Sequence, residues 1–225
     1  SYFKDQVCVV KLTSSDGAFG YGQTAPFAAD ITQMVLHKQV APLVIGREDD
    51  DFTLYEDIFR SLHKFTGTYV CRATAGIDTA MWDLKGKALG VPLHQLFGGK
   101  VMPRVRACVS THPSKSSIDD MADELAAYAR QGFTAIKGGF GKKGEAHLGF
   151  DPKRDIAFAK AVKEAVGPDV DFMVDYGHPV RMEVMQAIRM APAYADLGLR
   201  WLEDPLRTWD WDGYAQLRAA ARLQL

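Results

Sequence analysis

The chain has 225 residues, 27 basic against 28 acidic side chains, and a formal net charge of −1. That balance leaves no basic stripe for nucleic acid or a membrane surface, and 47% hydrophobic residues supply a sizeable core rather than a disordered chain. No run of 18 apolar residues suggests a membrane span, and three cysteines without metal-ligand spacing suggest a reduced, cytoplasmic setting.

Along the chain, VCVVKLTSSDGAFGYGQ predicts two short strands around Asp16-Gly17, a strong hairpin signal. Helical patterns follow over Ile31 to Val40, Phe52 to Leu62 and Thr74 to Leu89. In the last, Ile77, Met81, Leu84 and Ala88 recur at helical spacing, and Gly90 with Pro92 supplies a stop. Residues 1–102 therefore read as a small α+β domain, and residues 103–225 change rhythm. VRACVS at 105–110 is a strand candidate, and Ile118, Met121, Leu125 and Tyr128 mark an amphipathic helix ending at Gly132. FTAIKG is the next strand; Asp151-Pro152 caps a helix running to Gly167. DFMVD follows, then a helix over about Glu183 to Tyr194, Gly198, the strand LRWLED, and a last helix near Asp212. Strands alternating with helices at ~30-residue intervals predict βαβ units and a parallel sheet.

GFGKKG, at 139–144, is a literal G-x-G-x-x-G. A dinucleotide site needs a helix to begin at the glycines, whereas the best helix start here is Asp151-Pro152. A phosphate-binding P-loop fails too, because Lys142 is followed by Lys143 instead of Ser or Thr. The stretch is expected to be a cationic loop outside the sheet.

In α/β sheets and barrels, ligands bind outside the C-terminal strand ends. Those ends carry His112, Lys137, Asp175 and Glu203 in turn. Adjacent parallel strands lie about 4.8 Å apart, so Asp175 and Glu203 can converge on one volume, where their repulsion calls for a cation between them. Oxygen-only donors favour a hard ion such as Mg²⁺. Asp204 alternates to the other side of the strand and reads as a supporting or capping residue.

AGIDTAMWDLKGKALGVPLHQLFGG, GFTAIKGG, VDFMVDYG and RWLEDPL together resemble the enolase superfamily, specifically its mandelate racemase/muconate lactonizing branch. The resemblance implies an α+β capping domain over 1–102, with its first strand missing, and the first half of a modified (β/α) TIM-like barrel over 103–225. It implies Mg²⁺ held by Asp175 and Glu203, with Lys137 matching the first lysine of a K-x-K motif as a catalytic, substrate-binding cation. A third ligand and the main base are expected beyond Leu225, so the chain is expected to be part of a longer enzyme.

Two positions depart from the family pattern: Gly139 stands where a second lysine is common, and Gly177, followed by His178, where Asn is common. Racemisation needs proton transfer on both faces, so Gly139 points to a lyase, an acid-sugar dehydratase acting on a small carboxylate. His178 is a candidate substrate-binding acid, set against a plain polar loop residue; His112 is a weaker candidate for substrate contact. A racemase or epimerase of a 2-hydroxy acid and a non-catalytic metal-binding relative are the alternatives. A homo-oligomer without nucleic-acid or membrane partners is expected.

Overall fold

The structure, a computed structural model, describes residues 6–48, 51, 53–141, 146–177 and 180–225. It divides into two compact units, Ser1–Pro103 and Arg104–Leu225.

The first unit opens with the antiparallel pair β1 (Val9–Thr13) and β2 (Phe19–Gln23). Gly17 lies at φ +90° in the connecting turn, and its amide donates to the Ser14 carbonyl at 3.0 Å. Helix α1 (Ala29–Val35) runs into a wide π turn over Leu36–Val40 and then α2 (Ala41–Val44). Pro42 accounts for the widening: without an N–H it cannot continue the i→i−4 ladder. Helix α3 (Leu54–Ser61) is followed by the long α4 (Thr68–Leu89) and the single turn α5 (Leu93–Leu96).

Helix α4 starts six residues before Thr74 because Val70 and Ala73 belong to its buried face, with Ile77 and Ala80. It stops at Gly90, in the left-handed region at φ +66°, where Val91 donates to Gly86 at 3.0 Å and closes the last turn. Strand β2 lies against this helix closely enough that a Cβ on Gly20 or Gly22 would collide with the backbone of Ala80 or Gly76.

The second unit is a four-stranded parallel sheet in the order β3-β4-β5-β6, with helices between the strands. Its elements are β3 (Val109–Thr111), α6 (Ile118–Arg130), β4 (Ala135–Phe140), α7 (Pro152–Val166), β5 (Asp171–Tyr176), α8 (Val184–Asp196), β6 (Leu202–Glu203) and α9 (Trp211–Ala220). The Ser117 hydroxyl and the Asp151 and Asp210 carboxylates cap α6, α7 and α9 by accepting backbone N–H bonds.

Period-two alternation divides each strand between two jobs. Ile136, Phe140, Phe172, Val174, Tyr176 and Leu202 are fully buried in the core formed with the helices. Each such side chain contributes about 1.5–3 kcal/mol by leaving water. Lys137, Gly139, Met173, Asp175 and Glu203 alternate with them and belong to the opposite face.

Two strand lengths differ from expectation. Strand β4 extends through Gly139 and Phe140, so the GFGKKG stretch is not wholly a loop: its first two residues pair with Asp175 and Tyr176. Burial of the Phe140 ring against Phe158 and Tyr176 holds that extension in the sheet. Strand β6 is shorter than LRWLED, because Asp204 adopts φ +47° and turns the chain away directly after Glu203.

Beneath the sheet lies a buried polar trio. The Tyr176 hydroxyl is 3.2 Å from Asp155 Oδ2 and 2.7 Å from the Tyr194 hydroxyl, and Gly149 N–H donates to Asp155 Oδ1 at 2.8 Å. Burial pushes the Asp155 carboxyl up to about 6, against the opposing effect of the Gly149 and Tyr176 hydrogen bonds. Both tyrosine hydroxyls are also raised, chiefly by burial.

Because the folded-state value of Asp155 lies above its ordinary value, its contribution is present below about pH 4 and is lost as pH rises through about 6. Urea denaturation should therefore show Asp155→Asn gaining on the wild type by up to about 3 kcal/mol between pH 4 and pH 7.5. A stability difference that stays flat across that range would refute this assignment.

Candidate functional site

Register brings the predicted residues together. Strand β4 pairs with β5 so that Gly139 lies beside Asp175, and β5 pairs with β6 so that Asp175 lies beside Glu203. Lys137, two residues before Gly139 on the same face, reaches up between the carboxylates. Its Nζ donates to Asp175 Oδ2 at 3.0 Å and to Glu203 Oε1 at 2.7 Å. Trp201, two residues before Glu203, donates its indole N–H to the other carboxylate oxygen, Oε2, at 3.1 Å.

The Lys137 and Asp175 side chains each retain only 17% of their exposure, and Glu203 retains 35%. Burial alone would disfavour the lysine charge. The hydrogen bonds and charges of Glu203 and Asp175 outweigh it and hold the lysine above its ordinary value. Directly before β3, burial pushes the Cys108 thiol up, although Lys137 opposes the shift.

Asp204 stands apart from the cluster, half-exposed, with its carboxylate 3.7 Å from the Arg181 guanidinium. His112 directly follows β3, and its ring lies over Gly139 so closely that a Cβ there would fall inside it. His178, Lys142 and Lys143 lie outside the described residues.

One of the two further contacts is legible in the chain and the other is not. Trp201 and Glu203 share a strand face by simple alternation, which makes the indole a natural partner for the carboxylate. The pairing of His112 with Gly139 depends on register between two strands and has no signature in either segment alone.

Among the described residues, the groups gathered on Lys137 Nζ are carboxylate oxygens. Among the described residues no group of three or more His, Cys, Asp or Glu comes together. Two carboxylates drawn onto one cationic centre nonetheless form a donor pair suited to a hard ion.

The family model for the mandelate racemase/muconate lactonizing enzyme N-terminal domain matches residues 1–98, and that for the enolase C-terminal domain-like fold matches residues 120–225. The chain belongs to the mandelate racemase/muconate lactonizing branch of the enolase superfamily. Its fold is accordingly the superfamily's N-terminal capping domain followed by part of a TIM-like barrel.

Among superfamily relatives, the arabinonate dehydratase of Saccharolobus solfataricus is 30% identical over 211 residues, covering 90% of this chain and 53% of that protein. The crystal structure of the 3,6-anhydro-D-galactonate cycloisomerase from Zobellia galactanivorans superposes with a TM-score of 0.81 at 26% identity, covering 96% of this chain and 58% of the other. A mandelate racemase/muconate lactonizing protein from Paracoccus denitrificans, crystallised in complex with magnesium, gives a TM-score of 0.81 at 29% identity, with coverages of 96% and 58%. The chain thus spans about half the length of the relatives it matches.

Among the described residues, β4 ends at Phe140, Gly141 adopts φ +73°, and α7 begins at Pro152, the start that Asp151 caps. Calorimetric titration with NAD or ATP should accordingly show no saturable binding. Micromolar affinity for either would overturn this reading of the loop.

Proposed function

We propose that the enzyme containing this chain is a Mg²⁺-dependent lyase that removes water from an acid sugar after abstracting the proton α to its carboxylate. The observation that carries this reading is the convergence of Asp175 and Glu203 on one cationic point at the ends of adjacent strands. Dehydratases among the relatives support the reaction class.

A carboxylate already bears negative charge, so its α-proton is very weakly acidic. Removing it requires fixed positive charge where the second negative charge develops. Asp175 and Glu203 would hold the ion, and Mg²⁺, when bound, offsets charge on the substrate carboxylate oxygens. Lys137 contributes a permanent ammonium in the same place, kept protonated by both carboxylates. Trp201 fixes one Glu203 oxygen, leaving the other directed at the shared point.

Gly139 bears on the outcome of the reaction. With no side chain of its own on that inward position, β4 supplies one cation to the site instead of two. This weighs against a racemase, epimerase or cycloisomerase that uses a lysine pair. Three free cysteines are in keeping with a reducing, cytoplasmic setting. A homo-oligomer remains part of the proposal, with a small carboxylate as the substrate.

The test is to incubate the full-length enzyme with an acid-sugar library and Mg²⁺ in D₂O and follow products by NMR. A 2-keto-3-deoxy acid is expected from any substrate that turns over. EDTA and Glu203→Gln should suppress its formation by weakening ion binding. Lys137→Ala should lower kcat by about 10²–10³, the effect of removing one well-placed charge. Deuterium accumulating at C2 of epimerised substrate, with no keto acid, would establish a racemase instead.

A further inference from the structure

The inward layer that holds Asp175 and Glu203 extends to His112. Thr111 pairs with Gly138, and Gly139 pairs with Asp175, so the residue after β3 falls beside Gly139. A Cβ built on Gly139 would meet His112 Nδ1 and Cε1 well inside contact distance. Any other residue at 139 would therefore displace the imidazole; the glycine and the histidine are a matched pair.

The ring is half-buried, and its Nδ1 is fully shielded with no hydrogen-bond partner among the described residues. Buried polar atoms are nearly always paired, because an unpaired one gives up its hydrogen bonds to water without replacement. Elsewhere in the cluster Lys137 is engaged by two carboxylates, and Glu203 by Lys137 and Trp201. Among the described residues of this layer, His112 is packed into position with one ring nitrogen unpaired.

We propose that His112 is the proton-transfer residue on the face of the pocket that Gly139 leaves open. The proposal rests on the acid-sugar reading and assigns one of its bases. His112 and Asp175 sit on strands two spacings apart, roughly 10 Å between backbones, which leaves room for a carboxylate and its α-carbon. A substrate carboxylate drawn towards Lys137 presents C2 towards the imidazole.

A ring-nitrogen lone pair takes the C2 proton, and the C–H bond pair stays on the substrate as the enediolate. The C3–O bond then breaks with its electrons, and the imidazolium returns the proton to the departing hydroxyl, which leaves as water. The enol that remains ketonises to the 2-keto-3-deoxy acid. The ligand class is a 2,3-dihydroxy acid with its C2 proton on the His112 side.

The experiment uses the full-length enzyme labelled with ¹⁵N-histidine and the probe D-gluconohydroxamate, which is planar at C1 like the enediolate. The His112 imidazole resonances, assigned by their loss in His112→Asn, should move as the hydroxamate saturates. For an acid sugar that the wild type dehydrates, His112→Asn should lower kcat by about 10²–10⁴ with little change in KM. Gly139→Ala, which pushes the ring aside, should reproduce that split in the presence of an intact histidine. Unmoved His112 resonances at saturation, or wild-type kcat in His112→Asn, would overturn the proposal. If the wild type dehydrates no acid sugar, the assigned reaction fails. The resonance shift then still decides whether His112 meets a carboxylic-acid ligand.

Discussion

Two carboxylates near the ends of β5 and β6 and an ammonium from the middle of β4 share one small volume, and this ionic contact organises the second unit. Asp175 and Glu203 would repel each other across a single strand spacing if Lys137 did not lie within 3.0 and 2.7 Å of them. Removing charges from water carries a penalty that ion pairing only partly offsets. Replacing such a cluster with apolar side chains is often neutral or stabilising, so stability alone is a weak reason to keep it. The half-exposed Glu203 and the alignment of all three groups on one face point to a chemical reason.

The opposite face makes this arrangement affordable. Phe140, Phe172, Val174, Tyr176 and Leu202 bury completely against the helices and hold the strands rigidly at their C-terminal ends. Because the two faces alternate along one backbone, moving any strand by a single residue would exchange core for chemistry. Lys137 sits between Ile136 and Gly138, and Asp175 between Val174 and Tyr176, so the aromatic packing that fixes β5 also fixes the carboxylate. Gly139 extends the same logic by absence. It makes room for a ring from the neighbouring strand, so the character of that face is set by residue 112 instead of residue 139.

Much of this was legible in the chain. Lys137, Asp175 and Glu203 each end a short apolar run that follows a helix and a glycine, and parallel strands place their ends on one side. The helix starts at Asp151-Pro152 and near Asp212 were legible because capping side chains are local signals. Other features lay beyond local reading. GFGKKG reads as a loop because the best helix start is Asp151-Pro152, yet tertiary burial of Phe140 keeps its first two residues paired. Strand β6 looked longer than it is, since nothing in LRWLED announces the left-handed backbone at Asp204. The π turn ahead of Pro42 interrupts a pattern that otherwise reads as one helix.

The sequence by itself determined the alternation of strands and helices, the strand-end carboxylates and lysine, and the motifs that mark the family. These follow from periodicity, capping and residue type, which act over a few neighbouring positions. Tertiary structure alone decided which strand-end residues share a layer, that Trp201 holds one oxygen of Glu203, and that His112 fills the space above Gly139. Those outcomes depend on register between strands some 30 residues apart, and register is settled by how side chains pack across the sheet.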